Sequence, residues 1–176
     1  MSSYHEFLGK TIGIVGFGSI GKVVAKKAHA FGLQCLAYDP MLSGDSVKLD
    51  GFSVPLLPLN DLLAKSDAVT LHLPFLPETK NLFNASTLDQ MKSGACLVNT
   101  ARGGIVDEVA LVERLRSGRL GGAAIDVFQS EPAKDLNHFA GIENLILTPH
   151  VAGVTHESNE RVSQMIADEV NRFLGA

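Results

Sequence analysis

The sequence predicts an α/β fold, a doubly wound parallel sheet with helices on both faces, and two observations indicate it. Short apolar, β-branched runs alternate with amphipathic segments along the 176 residues, which is typical of strands alternating with helices. Glycine-rich or polar residues follow directly after these runs, as at Gly16–Gly21 and Thr100–Gly104. Right-handed crossovers bring the carboxyl ends of parallel strands to one edge, where ligands bind. We therefore expect residues distant in sequence to converge there.

The composition narrows the class of protein. Hydrophobic residues make up 45% of the chain, charged residues 19%, and the net charge is −4 with scattered basic residues. This balance indicates a globular chain that does not bind nucleic acid, and no apolar run approaches the ~18–20 residues of a membrane span. The lead-in Met1–Gly9 is polar and too short for a signal peptide. Cys35 and Cys96 lie in apolar runs and are predicted to be reduced core residues, which favours a cytoplasmic location.

Each predicted element has a local reason. Strands are predicted from apolar, β-branched runs at Thr11–Val15, Gln34–Tyr38, Val54–Leu57, Asp67–Leu71, Ala95–Asn99, Gly122–Val127 and Leu145–Leu147. Helices are predicted from the spacing of apolar residues and from capping residues at Lys22–Phe31, Leu59–Lys65, Ser86–Met91, Asp107–Ser117 and Thr155–Leu174. Ser86 and Asp107 are the expected caps of their helices. The stretches Met41–Gly51 and Phe128–Glu143 are predicted to be a polar loop and a long acidic connection.

A G-x-G-x-x-G motif follows the first predicted strand. Gly16 permits a tight turn, Gly18 lets a pyrophosphate approach the backbone, and Gly21 lets the following helix pack closely on the strand. The helix N-terminus offers free N–H groups and a positive dipole end to phosphates. Asp39 ends the second strand, 21 residues after Gly18, where a carboxylate can bind the adenosine ribose hydroxyls. Together these features predict a Rossmann-type dinucleotide-binding domain.

Three polar residues at the same predicted edge can carry chemistry. Arg102 follows a buried strand and precedes two glycines, and a guanidinium binds a carboxylate through two parallel hydrogen bonds. His150 follows the last strand, and a histidine, with an ordinary pKa of about 6.5, exchanges protons near neutral pH. Glu131 precedes Pro132 in the acidic connection and can orient His150. Taken alone, Glu131 is more typical of a solvated loop acid and His150 of a structural histidine. No histidine pair has metal-ligand spacing, so no metal site is predicted.

Four motifs then match, in order, the cofactor domain of one family. They are GKTIGIVGFGSIG at Gly9–Gly21, HLPFLPET at His72–Thr79, LVNTARGGIVDEVAL at Leu97–Leu111, and AAIDVFQSEP through LTPHVAG at Ala123–Gly153. The chain resembles the D-isomer-specific 2-hydroxyacid dehydrogenases over nearly its whole length, and YDP with ARGGIVDE is similar to the D-3-phosphoglycerate dehydrogenase-like branch. The resemblance implies an NAD-dependent oxidoreductase that transfers a hydride between NAD(H) and a D-2-hydroxy acid or 2-oxo acid.

The resemblance also implies roles for individual residues. Arg102 clamps the substrate carboxylate, His150 is the general acid and base, and Glu131 raises and holds the charge of His150. Cofactor contacts are implied at Gly16, Gly18, Ser19, Ile20, Gly21, Asp39, Pro40, Leu73, Pro74, Thr79, Thr100, Ala101, Arg102, Asp126, His150 and Gly153. In that set the two residues after Gly18 donate backbone N–H groups to the pyrophosphate, and Asp126 meets the nicotinamide end.

The resemblance leaves the activity and organisation of the whole protein open. Family members are longer and carry a second, flavodoxin-like substrate domain, so residues 1–176 are interpreted as a cofactor domain with the substrate domain absent. Such a domain is expected to bind NADH with little turnover. Related enzymes pair through their cofactor domains, which implies a homodimer. The alternatives are a glyoxylate or hydroxypyruvate reductase, a sulfolactate-type dehydrogenase, and a non-enzymatic NAD-sensing module similar to transcriptional corepressors.

Overall fold

A computed structural model describes residues 6–175, and the predicted lead-in therefore lies partly outside the described residues. Within residues 6–175 the chain forms eight strands: β1 (Thr11–Val15), β2 (Gln34–Tyr38), β3 (Ser46–Leu49), β4 (Phe52–Pro55), β5 (Ala68–Leu71), β6 (Cys96–Asn99), β7 (Gly122–Ile125) and β8 (Leu145–Leu147). The same residues form five α-helices: α1 (Ser19–Ala30), α2 (Leu59–Lys65), α3 (Ala85–Leu88), α4 (Glu108–Arg116) and α5 (His156–Leu174). A short 3₁₀ turn covers Asn137–Phe139.

The predicted doubly wound parallel sheet is confirmed. Six strands lie in the order β2-β1-β5-β6-β7-β8, and all neighbouring pairs are parallel. β1 lies inside the sheet, with β2 on one side of it and β5 to β8 following on the other, so the strand order reverses beside β1. Two separate apolar clusters form on the two faces of the sheet: α1 contributes to one, and α2, α3 and α4 contribute to the other. The reversal point is where sheets of this kind bind ligands.

Capping residues fix where the helices begin. The Asp107 carboxylate accepts a hydrogen bond from the Ala110 N–H at 3.0 Å, so α4 begins where the sequence predicted. Thr155 caps α5 through a capping box with Ser158. The expectation that Ser86 caps the third helix is wrong. Asn84 is the cap, because its side chain accepts from the Thr87 N–H at 3.2 Å.

The predicted polar loop Met41–Gly51 contains a strand instead. β3 pairs with β4 in an antiparallel hairpin whose turn includes Asp50 and Gly51, and Gly51 has φ +83°. Asp-Gly between alternating apolar and polar residues is a strong hairpin signal, and it was available in the sequence. The hairpin lies against β2 at the edge of the sheet. The ring of Phe52 in β4 stacks there on the ring of His29 in α1, with centroids 4.0 Å apart.

The expectation that helices cover both faces of the sheet is wrong for half of one face. On the α1 side of β6 to β8, Cys96 is exposed and Ile146 is 66% exposed. Cys96 was predicted to be buried, but its neighbour Leu97 is the one that enters the core. α5 buries none of its residues, and its apolar stripe, which includes Phe173, is exposed. Among the helices of residues 6–175, none is both long and apolar enough to cross a membrane.

Candidate functional site

The structure places the predicted site residues at the carboxyl edge of the parallel sheet. The glycine turn follows β1, Asp39 follows β2, Thr100–Gly104 follows β6, Asp126 follows β7 and His150 follows β8. Backbone hydrogen bonds tie adjacent strand ends together, as between the Asp126 N–H and the Asn99 carbonyl oxygen at 2.9 Å. Residues separated by more than a hundred positions therefore share one edge.

The glycine turn is closely packed on one side and open on the other. Gly16 has φ +92°, and a Cβ there would lie 2.4 Å from the His72 carbonyl oxygen. A Cβ on Gly21 would lie 2.3 Å from the Gly16 carbonyl oxygen. Gly18, by contrast, faces open space, with nothing within 4 Å of the position that a Cβ would take, and it gives α1 no side-chain cap. The exposed backbone at Ser19 and Ile20 is consequently accessible to an anion.

Asp39 is anchored beside this turn. Its Oδ2 accepts a hydrogen bond from the Phe17 N–H at 2.8 Å, and its Oδ1 accepts one from the Met41 N–H at 2.9 Å. The side chain is half-buried, and Pro40 after it is exposed. Each carboxylate oxygen has more than one lone pair, so these two bonds leave acceptor capacity for a ribose hydroxyl.

The segment after β5 forms a self-braced loop. Leu73 is buried and Pro74 is exposed. The Thr79 hydroxyl donates to the Pro74 carbonyl oxygen at 2.8 Å and accepts from the Leu76 N–H at 2.8 Å. The predicted cofactor residue Thr79 thus shapes the loop with its hydroxyl. Burial lowers the pKa of His72, which favours a neutral ring at the start of this loop.

A buried amide shapes the turn after β6. The Asn99 side chain donates to the Arg102 carbonyl oxygen and accepts from the Ala101 N–H, each at 3.1 Å. Thr100 and Arg102 are exposed, and the Arg102 guanidinium donates to the Ala101 carbonyl oxygen at 2.6 Å. Asn99 was not among the predicted site residues. An amide at the end of a buried strand was the available signal, because asparagine is depleted in strands.

The turn after β6 also contacts the connection that follows β7. A Cβ on Gly103 would lie 1.7 Å from the Phe128 carbonyl oxygen, so only glycine permits this approach. The Phe128 N–H in turn donates to Glu131 Oε1 at 2.9 Å. Phe128 therefore contacts the backbone beside Arg102 through its carbonyl oxygen and the Glu131 carboxylate through its N–H, and so fixes their relative positions.

Glu131 and His150, predicted to act together, form a pair. His150 Nδ1 lies 2.6 Å from Glu131 Oε2, and both side chains remain partly exposed. The hydrogen bond to His150 lowers the pKa of Glu131, and the bond from the Phe128 N–H lowers it further. Because Nδ1 faces the carboxylate, Nε2 is the nitrogen that can exchange a proton with a ligand.

Asp126 holds the loop that carries His150. It is 2% exposed, and its carboxylate accepts hydrogen bonds from the Thr148 hydroxyl, from the Val151 N–H at 2.9 Å and from the Ala152 N–H at 3.0 Å. Burial raises the pKa of Asp126, but these bonds outweigh it and the pKa lies below its usual range. Asp126 was predicted to meet the nicotinamide end. The contacts within the chain add a positioning role, and the exposed Gly153 follows the held segment.

Arg102, Glu131 and His150 line one open cavity of about 430 Å³. A guanidinium that can bind a carboxylate therefore lies in the same cavity as a carboxylate–imidazole pair that can transfer a proton. A second, more apolar cavity of about 680 Å³ lies against the same pair and is lined by Pro132, Leu136 and Leu147 among others. In the described part of the chain, no three His, Cys, Asp or Glu side chains come together as a metal site requires.

The lowered pKa of Glu131 predicts a pH-dependent contribution to folding. A carboxyl whose pKa is lower in the folded state stabilises the fold above its ordinary pKa and loses that effect as pH falls through the folded value. We expect Glu131→Gln to lower the free energy of unfolding at pH 7, and this difference from the wild type to shrink as the pH falls below 4.5. Urea unfolding monitored between pH 7 and pH 3 measures it. A difference that is independent of pH would contradict the assigned pairing.

Comparisons with known proteins agree with this geometry. The family model described as "D-isomer specific 2-hydroxyacid dehydrogenase, NAD binding domain" matches residues 1–152. The chain is 47% identical over 171 residues to the (S)-sulfolactate dehydrogenase of Chromohalobacter salexigens, covering 97% of this chain and 55% of that protein. It is 42% identical over 169 residues to the D-3-phosphoglycerate dehydrogenase of Synechocystis, covering 96% of this chain and 30% of that protein.

A solved structure shows the same architecture. The D-lactate dehydrogenase from Aquifex aeolicus, complexed with NAD and lactic acid, superposes with a TM-score of 0.86 at 32% identity, covering 98% of this chain and 56% of that one. The chain thus spans about half the length of the sulfolactate and lactate dehydrogenases that it matches. On the family match and these identities, the chain belongs to the NAD-binding domain family of the D-isomer-specific 2-hydroxyacid dehydrogenases.

Proposed function

We propose that this chain is the cofactor-binding part of an NAD-dependent dehydrogenase that interconverts a D-2-hydroxy acid and its 2-oxo acid. One observation carries the proposal. The Glu131–His150 pair, with 2.6 Å between its nitrogen and oxygen, lines the same cavity as Arg102. A proton-transfer pair beside a carboxylate-binding guanidinium, at the edge that carries a dinucleotide turn, is what oxidation of a 2-hydroxy acid requires.

The residues present fit NAD. When it is bound, NAD supplies the hydride chemistry, and the protein supplies binding and orientation. The open space at Gly18 accommodates a pyrophosphate against the first turn of α1. Asp39 retains acceptor capacity for the ribose hydroxyls beside that turn. Thr100 and Ala101 after β6 would hold the nicotinamide end, and Gly153 after the His150 loop would also contact the cofactor.

The three polar side chains have separate roles: one binds the substrate, one transfers the proton and one stabilises the imidazolium. Arg102 binds the substrate carboxylate through its guanidinium fork. During oxidation His150 accepts the hydroxyl proton at Nε2, and during reduction it returns that proton to the 2-oxygen. Glu131 stabilises the imidazolium that forms, since its carboxylate contacts Nδ1. Proton transfer by a positioned group of this kind is typically worth roughly 10²–10⁴ in rate.

We also infer where the protein is located. Cys35 and Cys96 are free thiols, which supports a reducing, cytoplasmic location.

We further infer that two copies of the protein pair. The uncovered sheet face at Cys96 and Ile146 supports pairing of two copies through this domain. We expect sedimentation velocity to show a dimer fraction that grows with protein concentration, and a monomer at every concentration would contradict the pairing.

Asp39 should set the preference between the two nicotinamide dinucleotides. A carboxylate at the ribose position repels a 2′-phosphate, so NADH should bind more tightly than NADPH. Fluorescence titration of the chain with both dinucleotides measures this directly. Asp39→Ala should weaken NADH binding and narrow the preference. Asp45→Ala, which removes an equal charge from the nearby exposed hairpin, serves as the control and should preserve both. Equal or tighter NADPH binding by the wild type would contradict the role of Asp39.

His150 should act mainly on the proton, so its removal should affect turnover far more than cofactor binding. His150→Ala should lower the rate at which NADH reduces a 2-oxo acid to the D-2-hydroxy acid by at least roughly 10²-fold, with a much smaller change in NADH affinity. The control His156→Ala replaces an exposed histidine six residues further along the chain and should leave both unchanged. Prolonged incubation with glyoxylate, hydroxypyruvate or 3-phosphohydroxypyruvate detects slow turnover, and chiral chromatography of the products of the last two substrates assigns their configuration. Unchanged turnover in His150→Ala, or an L-product, would overturn the proposed function.

A further inference from the structure

Glu108, the first residue of α4, contacts two separated points of the connection that carries Glu131. Its Oε1 accepts a hydrogen bond from the Gln129 N–H at 2.7 Å, and its Oε2 lies 2.9 Å from His138 Nε2. These contacts bracket Glu131, because Gln129 precedes it and His138 follows it. We propose that Glu108 is a positioning residue that clasps both ends of this connection and so holds Glu131 against His150.

The first contact lies one residue from the backbone that orients Glu131. Phe128 precedes Gln129, and the Phe128 N–H donates to Glu131 Oε1 at 2.9 Å. The Gln129 N–H belongs to the peptide unit that follows the one carrying the Phe128 N–H, so holding Gln129 restrains the backbone of Phe128, whose N–H donates to Glu131. The Glu108 side chain is only 13% exposed, and a hydrogen bond from a backbone N–H to a sheltered carboxylate is stronger than a neutral one.

The second contact closes the connection from its far end. The His138 ring packs on the Phe139 ring, with centroids 4.0 Å apart, and the Phe139 ring meets the Phe128 ring edge to face at 6.3 Å. Phe128 and Phe139 are both buried. The ends of the connection are thus joined twice, by the carboxylate of Glu108 on the outside and by the two phenylalanine rings inside.

The position of Glu108 on a rigid element makes this contact useful. α4 begins at Glu108, and the cap formed by Asp107 fixes that first turn. Arg116, at the other end of α4, donates to the His138 carbonyl oxygen at 3.3 Å. Residues at both ends of the helix therefore contact the connection. A site carried on a long connection needs such support from a rigid element to keep its geometry.

The test reads the Glu131 geometry without requiring turnover. We expect Glu108→Ala to speed amide exchange of the Phe128 N–H by at least about tenfold, because the hydrogen bond from Phe128 to Glu131 opens more often once Gln129 is released. We also expect the pKa of Glu131, followed by carboxyl ¹³C NMR, to rise toward its ordinary value, because its two hydrogen bonds loosen. A residue that merely stabilised the fold would lower overall stability and leave the Glu131 titration unchanged.

Three further variants make the result decisive. Glu113→Ala removes an exposed glutamate from the same helix and should leave both readouts at their wild-type values. Glu108→Gln keeps an acceptor for the Gln129 N–H and should largely restore them. His138→Ala removes the second contact together with the packing of its ring on Phe139, keeps the Glu108–Gln129 hydrogen bond, and should shift both readouts in the same direction but less. If Glu108→Ala does not fold, His138→Ala decides.

Unchanged Phe128 exchange and an unchanged Glu131 titration in Glu108→Ala or His138→Ala would overturn the role of Glu108. The same changes in Glu113→Ala would also overturn it. The role rests on the proposed function of the Glu131–His150 pair, but the two can fail separately. Full turnover in His150→Ala would contradict the proposed role of His150 and leave the role of Glu108 standing. An unchanged Glu131 titration in Glu108→Ala would contradict the role of Glu108 and leave that of His150 standing.

Discussion

The site depends on one buried carboxylate and the three hydrogen bonds that it accepts. Asp126 receives the Thr148 hydroxyl and the N–H groups of Val151 and Ala152, so it grips the chain on both sides of His150. His150 has φ +55°, a left-handed conformation that costs a non-glycine residue of order 1–3 kcal/mol. The fully hydrogen-bonded carboxylate offsets both this strain and its own burial. A misplaced loop here would remove the imidazole from Glu131.

The parallel sheet determines where that loop and its partners lie. β6, β7 and β8 are adjacent and parallel, so Asn99, Asp126 and Thr148 end up side by side at their carboxyl ends. Asn99 shapes the turn of Arg102, while Asp126 shapes the loop of His150. Both act through backbone contacts and are themselves nearly inaccessible to solvent. The residues proposed to act on the substrate are exposed, and the residues that position them are buried.

Local signals predicted most of the fold, and they singled out the exposed residues of the candidate site. Apolar runs and capping residues are short-range features, so the strands and the Asp107 cap could be predicted. The hairpin at Asp50-Gly51 was missed because its apolar alternation is only four residues long. Cys96 was misplaced because an apolar run does not say which face a helix covers. The role of Glu108 could not be predicted, because its partners are fixed by tertiary packing. Asn99 was missed although its partners lie only two and three residues further along the chain.

We expect the glycine turn, Arg102 and the Glu131–His150 pair to form one site. A crystal structure with NADH and oxamate, an unreactive isostere of a 2-oxo acid, would show whether they do. The pyrophosphate should lie against Gly16–Gly21, the oxamate carboxylate on the Arg102 guanidinium, and the oxamate carbonyl oxygen about 2.6–3.2 Å from His150 Nε2. Oxamate bound away from His150, or a dinucleotide bound away from the glycine turn, would contradict this expectation.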